Sequence, residues 1–263
     1  MGRVISRRQA PPDHPMFNGG IEMFNVRRRK QATTVFHIPH ASTHIPPEIH
    51  DQFLLSDVEL EAEIQAMTDH RTDDLFAGHG GVIVAAEVSR LVCDVERFLD
   101  DPMEAVGMGA IYIHTSQGGP LRRALSAGER QALLDRYYHP HHARLAEAVL
   151  PGCLIIDCHS FPGQALPYED DQSPDRPDFC IGTDDYHTPP ELAAAVVGFL
   201  ESRGHTVWVN RPFAGTMVPA RYYRQDASVR SIMIEVNRRL YLEDAEGFER
   251  ARAVVGELVG LLC

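Results

Sequence analysis

The sequence of 263 residues lacks the features that define several common classes of protein. No segment approaches the run of roughly 20 apolar residues that a membrane-spanning helix needs, so we expect no membrane partner. There is no Gly-x-Ser-x-Gly elbow, no phosphate-binding loop and no dinucleotide-binding glycine fingerprint. The five cysteines show no paired spacing, which disfavours a zinc finger or a disulfide framework and predicts reduced thiols.

Positive charge is also scarce, since 25 Lys and Arg residues face 37 Asp and Glu residues, for a net charge of −12. A nucleic-acid-binding protein must present a basic face to phosphates, so we expect no nucleic acid partner. Arg90, Arg97 and Arg238 nevertheless fall in the segments that carry the candidate site residues. Because a guanidinium matches a carboxylate with two parallel hydrogen bonds, they predict a small anionic substrate. Surface pairing of these arginines with Asp and Glu is the alternative.

Residues 1–32 are basic, polar and without periodicity, and we expect a flexible N-terminal segment. Since this segment has no apolar core, it does not resemble a secretory signal, and we interpret the protein as cytoplasmic. Residues 33–263 show no internal repeat and no linker. The full sequence is 44% hydrophobic, which is enough to bury a substantial core, and we predict a single α/β domain over residues 33–263.

Three apolar segments of strand length end on polar side chains. They are residues 34–40, 154–160 and 231–238, which end on or contain His40, His159 and Glu235, respectively. In open α/β sheets, ligands bind beyond the carboxyl ends of the strands. An enzyme site built from these strand ends is therefore the leading hypothesis.

Other local signals predict the remaining elements. Ser56 and Glu59 form a capping-box pattern, which predicts a helix beginning there. Further strands are expected at residues 81–86 and 90–95, and a helix at residues 126–149 that Pro140 should kink or split. The polar, proline-rich residues 161–177 predict a functional loop or a lid. Further strands are expected at residues 179–182 and 206–210, and further helices at residues 190–203 and 248–262.

A catalytic zinc ion is typically held by three protein ligands, with the fourth position left for water or substrate. His40 and His159, at strand ends, are the best two candidates. Asp69 and Asp73 are candidates for the third, since their spacing of four places them on one face if the segment is helical. We prefer Asp73 because it leads into an apolar pair that would anchor the helix, and His44 is a competing ligand.

Glu235 lies inside an otherwise apolar strand. A buried glutamate is costly unless it is paired or functional, and burial raises its pKa towards the value that a general base near neutral pH requires. A buried ion pair between Glu235 and Arg238 is the alternative. Asp94 has the same in-strand character and is expected to orient a neighbour such as Arg97.

Five short motifs occur in order between about Val35 and Tyr241, and together they resemble the N-formylglutamate amidohydrolase family. The motifs are Ile38-Pro39-His40-Ala41-Ser42, Thr72-Asp73-Asp74-Leu75-Phe76, Ser89 to Phe98, Asp157-Cys158-His159-Ser160 and Glu235-Val236-Asn237-Arg238. The resemblance implies a three-layer α/β/α sandwich with a central mixed sheet, related to zinc carboxypeptidases and aspartoacylase. It also implies a metal-dependent hydrolase that converts N-formyl-L-glutamate to formate and L-glutamate.

The resemblance further implies roles for individual residues. His40, Asp73 and His159 would hold a divalent metal, expected to be zinc, and Glu235 would be the catalytic base. Arg97, Asn237 and Arg238 would grip the substrate carboxylates. The related enzymes carry a His-x-x-Glu pair, whereas here Thr43 occupies the glutamate position, so Asp73 is inferred and not matched. A hydrolase of another N-acyl amino acid or small peptide, and an inactive ligand-binding relative, are the alternatives.

Overall fold

The computed structural model describes residues 33–263, so the expectation for residues 1–32 lies outside the described part. Its centre is a six-stranded sheet in the order β2-β1-β3-β6-β4-β5. The strands are β1 (Thr34–Ile38), β2 (Val82–Ala85), β3 (Leu154–Phe161), β4 (Phe179–Gly182), β5 (Val207–Val209) and β6 (Arg230–Asn237). Strands β2, β1, β3 and β6 are mutually parallel, whereas β4 is antiparallel to β6. The mixed sheet is thus confirmed, and four strands end at one edge.

Helices cover both faces of the sheet. They are α1 (Asp57–Met67), α2 (Thr72–Leu75), α3 (Ala127–Leu133), α4 (His139–Ala148), α5 (Pro190–Ser202) and α6 (Ala245–Leu262), with short 3-10 turns at Pro47–Gln52, Pro102–Val106 and Arg238–Leu240. Among the described residues, no helix combines the length and the apolar character needed to cross a membrane.

Successive side chains along the strands point to opposite faces of the sheet, so the sheet separates two hydrophobic cores. Ile156, Ile232 and Ile234 are fully buried on one face, in the core formed with α2, α5 and α6. Burying each such side chain contributes about 1.5–3 kcal/mol. On the opposite face, Ile155 packs with Leu145 of α4. The expected three-layer α/β/α arrangement is confirmed, and the face under α4 also carries the candidate site.

Several helix boundaries agree with the sequence. Ser56 and Glu59 form the predicted capping box of α1. The predicted long helix is present as α3, a π-helical turn at Leu134–Tyr138 and α4, with Pro140 in the first turn of α4. The π-helical turn interrupts the regular hydrogen-bond pattern just before the proline, which has no N–H to donate. The helix therefore continues through Pro140 instead of breaking.

The strand predicted at residues 90–95 is wrong. The N–H groups of Val92 and Cys93 both donate to the carbonyl of Ser89, which closes a turn, and Arg122 donates to the carbonyl of Leu91. The apolar side chains of this segment are buried in a separate cluster with α1 and α3, away from the sheet. Complete burial on all sides, and not strand pairing, explains the apolar run.

Residues 162–178 form an ordered wall beside the sheet. Arg176 is buried and forms an ion pair with the buried Glu169, and it also donates to the carbonyls of Pro162 and Asp171. Glu169 in turn accepts a hydrogen bond from the N–H of Leu166. This buried ion pair and the hydrogen bonds of Nη1 and Nη2 of Arg176 connect Pro162, Glu169 and Asp171, so they fix the path of a segment that has no regular secondary structure.

Candidate active site

A cavity of about 430 Å³ opens at the carboxyl ends of β3 and β6. Its polar wall combines residues from strand ends with residues from the turns that cover them. These residues include His40, Asp69, Arg90, Glu96, Arg97, His159, Tyr168, Glu235 and Arg238. The position agrees with the general rule that α/β sheets bind ligands beyond the ends of parallel strands.

His159 and Glu235 are neighbours across two strands. They are register partners in the parallel pair β3 and β6, so their side chains emerge on the same face of the sheet. Both side chains are buried, and both line the cavity. Asp157 lies two residues before His159, on the same face, and pairs in register with His37 of β1. The strand pattern therefore brings an imidazole and two carboxylates together.

Each ring nitrogen of His159 meets a carboxylate. Nδ1 lies 3.0 Å from Oδ2 of Asp69, and Nε2 lies 2.9 Å from Oε1 of Glu96 and 3.2 Å from Oδ1 of Asp157. Burial by itself lowers the pKa of His159, but the charges of Glu96 and Asp157 outweigh it and raise the pKa well above its usual value. The ring is held in an environment that favours a positive charge.

His40 lies between the carboxylates of Asp94 and Asp69. Its Nε2 lies 2.9 Å from Oδ1 of Asp94, whereas its Nδ1 is buried without a hydrogen-bond partner among residues 33–263. Burial and Arg90 lower the pKa of His40, but the carboxylates of Asp94 and Asp69 outweigh them and raise it. Oδ2 of Asp69 lies 3.6 Å from this Nδ1.

Asp94 connects His40 to the arginines. It is fully buried, and its Oδ2 accepts hydrogen bonds from Arg90 at 2.9 Å and from the hydroxyl of Tyr112 at 2.6 Å. Burial raises the pKa of Asp94, but Arg90 and His40 outweigh it and hold the pKa well below its usual range. Asp94 therefore orients His40 and Arg90 more directly than Arg97, whose Nε lies 3.9 Å away.

The donor atoms of His40, Glu96 and His159 lie within 4.8 Å of one another and could hold a metal ion. Two imidazoles and a carboxylate are a typical ligand set for catalytic zinc. Each histidine also contacts a further carboxylate, Asp94 or Asp69, as metal-ligating histidines commonly do. The residues therefore fit a divalent cation, because its charge would offset those of the carboxylates grouped around the two imidazoles.

Donor atoms of a second group, His37, Glu96 and Asp157, also lie within 4.8 Å of one another. His37, however, already contacts Asp157 through Nδ1 at 2.7 Å and His141 through Nε2 at 2.9 Å. Both of its ring nitrogens are therefore engaged within the protein. His141 of α4 contacts this group through His37.

The structure does not bring Asp73 to the two histidines. Asp73 is exposed on α2, and its side chain accepts a hydrogen bond from the N–H of Asp74. Arg71 adopts a left-handed conformation with φ of 59° between α1 and α2, so Asp69 and Asp73 do not share one helical face. The apolar pair that follows Asp73 is buried under the opposite face of the sheet. His44 is also exposed and does not line the cavity.

Glu96, and not Asp73, is the carboxylate of this group, and its place was not predicted from the sequence. The available signal was its place two residues after Asp94, in the same motif, where the N–H of Glu96 donates to Asp94. Asp69 was considered as a ligand, but it lies behind His159 and accepts hydrogen bonds from His159 Nδ1 and Arg238 Nη2. The contribution of Asp157 was not predicted either.

Asn237 does not reach the cavity. It is fully buried, its Nδ2 donates to the carbonyl of Pro177 at 2.8 Å, and its Oδ1 accepts from the N–H of Arg239 at 3.1 Å. The implied role in gripping substrate is therefore not supported by its position, because its amide is already satisfied within the protein. Asn237 instead caps the turn that follows β6.

The three candidate arginines differ in their availability. Arg238 forms an ion pair with Asp69, not with Glu235, and it donates to protein oxygens through Nε, Nη1 and Nη2. The Nε of Arg97 is buried without a hydrogen-bond partner among residues 33–263, and its side chain lines the cavity. Arg97 is therefore the arginine best placed to bind an anion, with Arg90 beside it.

Glu235 is 6% exposed, and its Oε2 has no hydrogen-bond partner among the described residues. Burial raises the pKa of Glu235 to about 8, and the nearby charge of His159 opposes this rise. A carboxyl group with this proton affinity, lining a cavity, can exchange a proton near neutral pH.

The chain is similar to known proteins in both sequence and fold. Residues 32–242 match the family model described as N-formylglutamate amidohydrolase. The chain is 28% identical over 227 residues to a protein of Pseudomonas putida named N-formylglutamate deformylase, a match that covers 80% of this chain and 82% of the relative.

Two solved structures share the fold. The crystal structure of N-formylglutamate amidohydrolase from Ralstonia eutropha superimposes with a TM-score of 0.76 at 26% identity and covers 89% of this chain and 94% of that one. A protein from Agrobacterium tumefaciens superimposes with a TM-score of 0.68 at 22% identity, covering 88% and 90%, which shows similarity of fold alone.

Proposed function

Because the chain belongs to the N-formylglutamate amidohydrolase family, we propose that it hydrolyses the amide of N-formyl-L-glutamate to formate and L-glutamate. The observation that carries the proposal is the pairing of buried Glu235 with His159 in one cavity that Arg97 also lines. A cytoplasmic location is part of the same proposal.

His40, Glu96 and His159 would hold a divalent cation, with zinc the first choice because of the mixed imidazole and carboxylate donors. When bound, such an ion supplies a Lewis acid that polarises a carbonyl and lowers the pKa of water towards about 7. Asp94 and Asp69 orient the two imidazoles, since each accepts a hydrogen bond from the ring.

Glu235 acts as the proton carrier. Its Oε2 takes a proton from the water that attacks the formyl carbon, and the C–N bond then breaks as the proton passes to the departing nitrogen. The products are formate and the free amine of glutamate, and the atoms of one water molecule are divided between them. The pKa of about 8 that burial gives Glu235 suits a group that must accept and then release a proton.

Arg97 binds a carboxylate of the substrate. The Nε of Arg97 makes no hydrogen bond to the described residues, and charge-assisted hydrogen bonds from a guanidinium to a carboxylate are each worth about 1.5–3 kcal/mol. Arg90 lies next to it and is held by Asp94, so it adds positive charge while keeping its own position. The two arginines favour an acidic amino acid over a neutral one.

The test is formate release by the purified, zinc-loaded protein. We expect N-formyl-L-glutamate to be hydrolysed faster than its N-acetyl and N-succinyl analogues. The variant Glu235→Gln should reduce kcat by about 10²- to 10⁴-fold with unchanged zinc content. Preference for another acyl group would reassign the substrate, and absence of hydrolysis of all three would refute the proposed activity. Undiminished turnover by the variant would remove Glu235 from the mechanism.

A further inference from the structure

Arg238 joins three parts of the chain beneath the cavity. Its Nη1 donates to the carbonyl of Ala66 in the last turn of α1 at 2.8 Å, and its Nη2 donates to Oδ1 of Asp69 at 3.0 Å. Its Nε contacts the hydroxyl of Ser160 at 3.2 Å, and its Nη2 also contacts the carbonyl of Ser160 at 3.2 Å. All three nitrogens of the guanidinium are therefore engaged by the protein.

Asp69 connects Arg238 to His159 through hydrogen bonds. While Oδ1 of Asp69 faces Arg238, Oδ2 accepts from Nδ1 of His159 at 3.0 Å and from the N–H of Ser160 at 3.2 Å. Asp69 is buried, so its carboxylate depends on these partners and has little contact with water. Its two oxygens are thus divided between the arginine and the imidazole.

We propose that Arg238 is a positioning residue that acts through Asp69 on His159, and not a residue that grips the substrate. By fixing the Asp69 carboxylate, Arg238 holds the acceptor of the Nδ1 hydrogen bond of His159, so that Nε2 faces Glu96 and is the atom that would bind metal. This inference rests on the proposed metal centre. Partners of this kind commonly change metal affinity by about 10- to 100-fold when they are removed.

The two roles of Arg238 predict opposite results. A substrate-binding arginine affects KM and leaves zinc affinity unchanged, whereas a positioning arginine affects zinc affinity in the absence of substrate. The experiment is a chelator competition that measures the Kd for Zn²⁺ of the full-length apo-protein. Arg238→Met and Asp69→Asn should each raise this Kd by about 10- to 100-fold, and Arg238→Lys should give an intermediate value because an ammonium keeps one contact to Asp69.

The double variant of Arg238→Met with Asp69→Asn gives the sharper result. Because the two residues act as one unit, the Kd of the double variant for Zn²⁺ should be no higher than that of the more affected single variant. Arg136→Met serves as the matched control and should leave the Kd for Zn²⁺ at the wild-type value, since its side chain is 59% exposed and pairs with Glu48 on the surface. Circular dichroism checks that each variant is folded, and the nearly isosteric Asp69→Asn remains informative if Arg238→Met does not fold.

Wild-type zinc affinity in both folded single variants, together with a raised KM for Arg238→Met, would overturn the positioning role while leaving the proposed activity intact. Independent, additive losses in the double variant would also overturn it. A wild-type protein that binds no Zn²⁺ would instead refute the metal centre, and this inference with it.

Discussion

Oε1 of Glu96 lies 2.9 Å from Nε2 of His159, although 63 residues separate them in the chain. Glu96 follows a turn that is buried against α1 and α3, whereas His159 belongs to the central sheet. Their contact therefore depends on how the turn packs against the sheet. This contact makes Glu96 the carboxylate that completes the group with His40.

The first prediction separates Glu96 from the carboxylate that the sequence favoured. Glu96→Gln should lose zinc on dialysis against a weak chelator, because an amide is a poorer ligand than a carboxylate. Asp73→Asn should retain zinc as the wild type does, since Asp73 is exposed on α2. Metal content is measured by elemental analysis of the dialysed proteins. The reverse order of retention would return Asp73 to the ligand set.

The second prediction concerns recognition of the anionic substrate. Arg97→Met should reduce kcat/KM for N-formyl-L-glutamate by about 10- to 100-fold, because a charge-assisted hydrogen bond to the substrate is lost. Initial rates of formate release provide the measurement. Arg136→Met is the control, since its side chain is 59% exposed and pairs with Glu48 on the surface. An equal loss in both variants would argue against a specific role for Arg97.

The third prediction addresses the wall formed by residues 162–178. Glu169→Gln leaves the buried guanidinium of Arg176 without its ionic partner and should lower the free energy of unfolding by about 3–5 kcal/mol. Glu48→Gln is the control, because Glu48 and its partner Arg136 are 48% and 59% exposed and such a pair contributes about 0–1 kcal/mol. Urea denaturation measures both. Similar small losses would mean that the buried pair does not stabilise this segment.

The fourth prediction is a pH dependence of stability. Burial lowers the pKa of His142 to about 4, below the value near 6.5 of an unfolded histidine. Between these two values the unfolded chain binds more protons, so the free energy of unfolding decreases as the pH falls through this window.

Replacement by a side chain that does not titrate should remove this contribution. His142→Gln should reduce the slope of the free energy of unfolding against pH by up to about 1.4 kcal/mol per pH unit between pH 5 and 6. Urea denaturation of both proteins across pH 5 to 7 gives the two slopes. Identical slopes would show that His142 takes up its proton equally in the folded and unfolded states.

Much of the fold could be predicted from local patterns. The apolar runs before His40 and His159 form strands of the central sheet. His40 follows the end of β1, His159 lies inside β3, and Glu235 lies inside β6 as its sequence context indicated. The capping box at Ser56 also begins its helix as predicted. These features depend on neighbours within a few residues, and local sequence records such relationships directly.

The strand predicted at residues 90–95 shows where local patterns fail. An apolar run reports burial, but it does not report whether the neighbours that bury it belong to a sheet. Here the carbonyl of Ser89 closes a turn, and Arg122 donates a hydrogen bond to the carbonyl of Leu91 in that turn. The periodicity of the apolar residues does not reveal either contact.

By itself, the sequence determined the strands, their polar ends and the resemblance to one family of amidohydrolases. The tertiary structure alone decided which carboxylate approaches the histidines, which arginine keeps an unpartnered nitrogen and which arginine is engaged by the protein. The physical reason is that these properties depend on strand register and on the direction of turns from distant parts of the chain. Asp73 and Glu96 illustrate it, because spacing along one segment favoured the first, whereas packing between segments brought the second to His159.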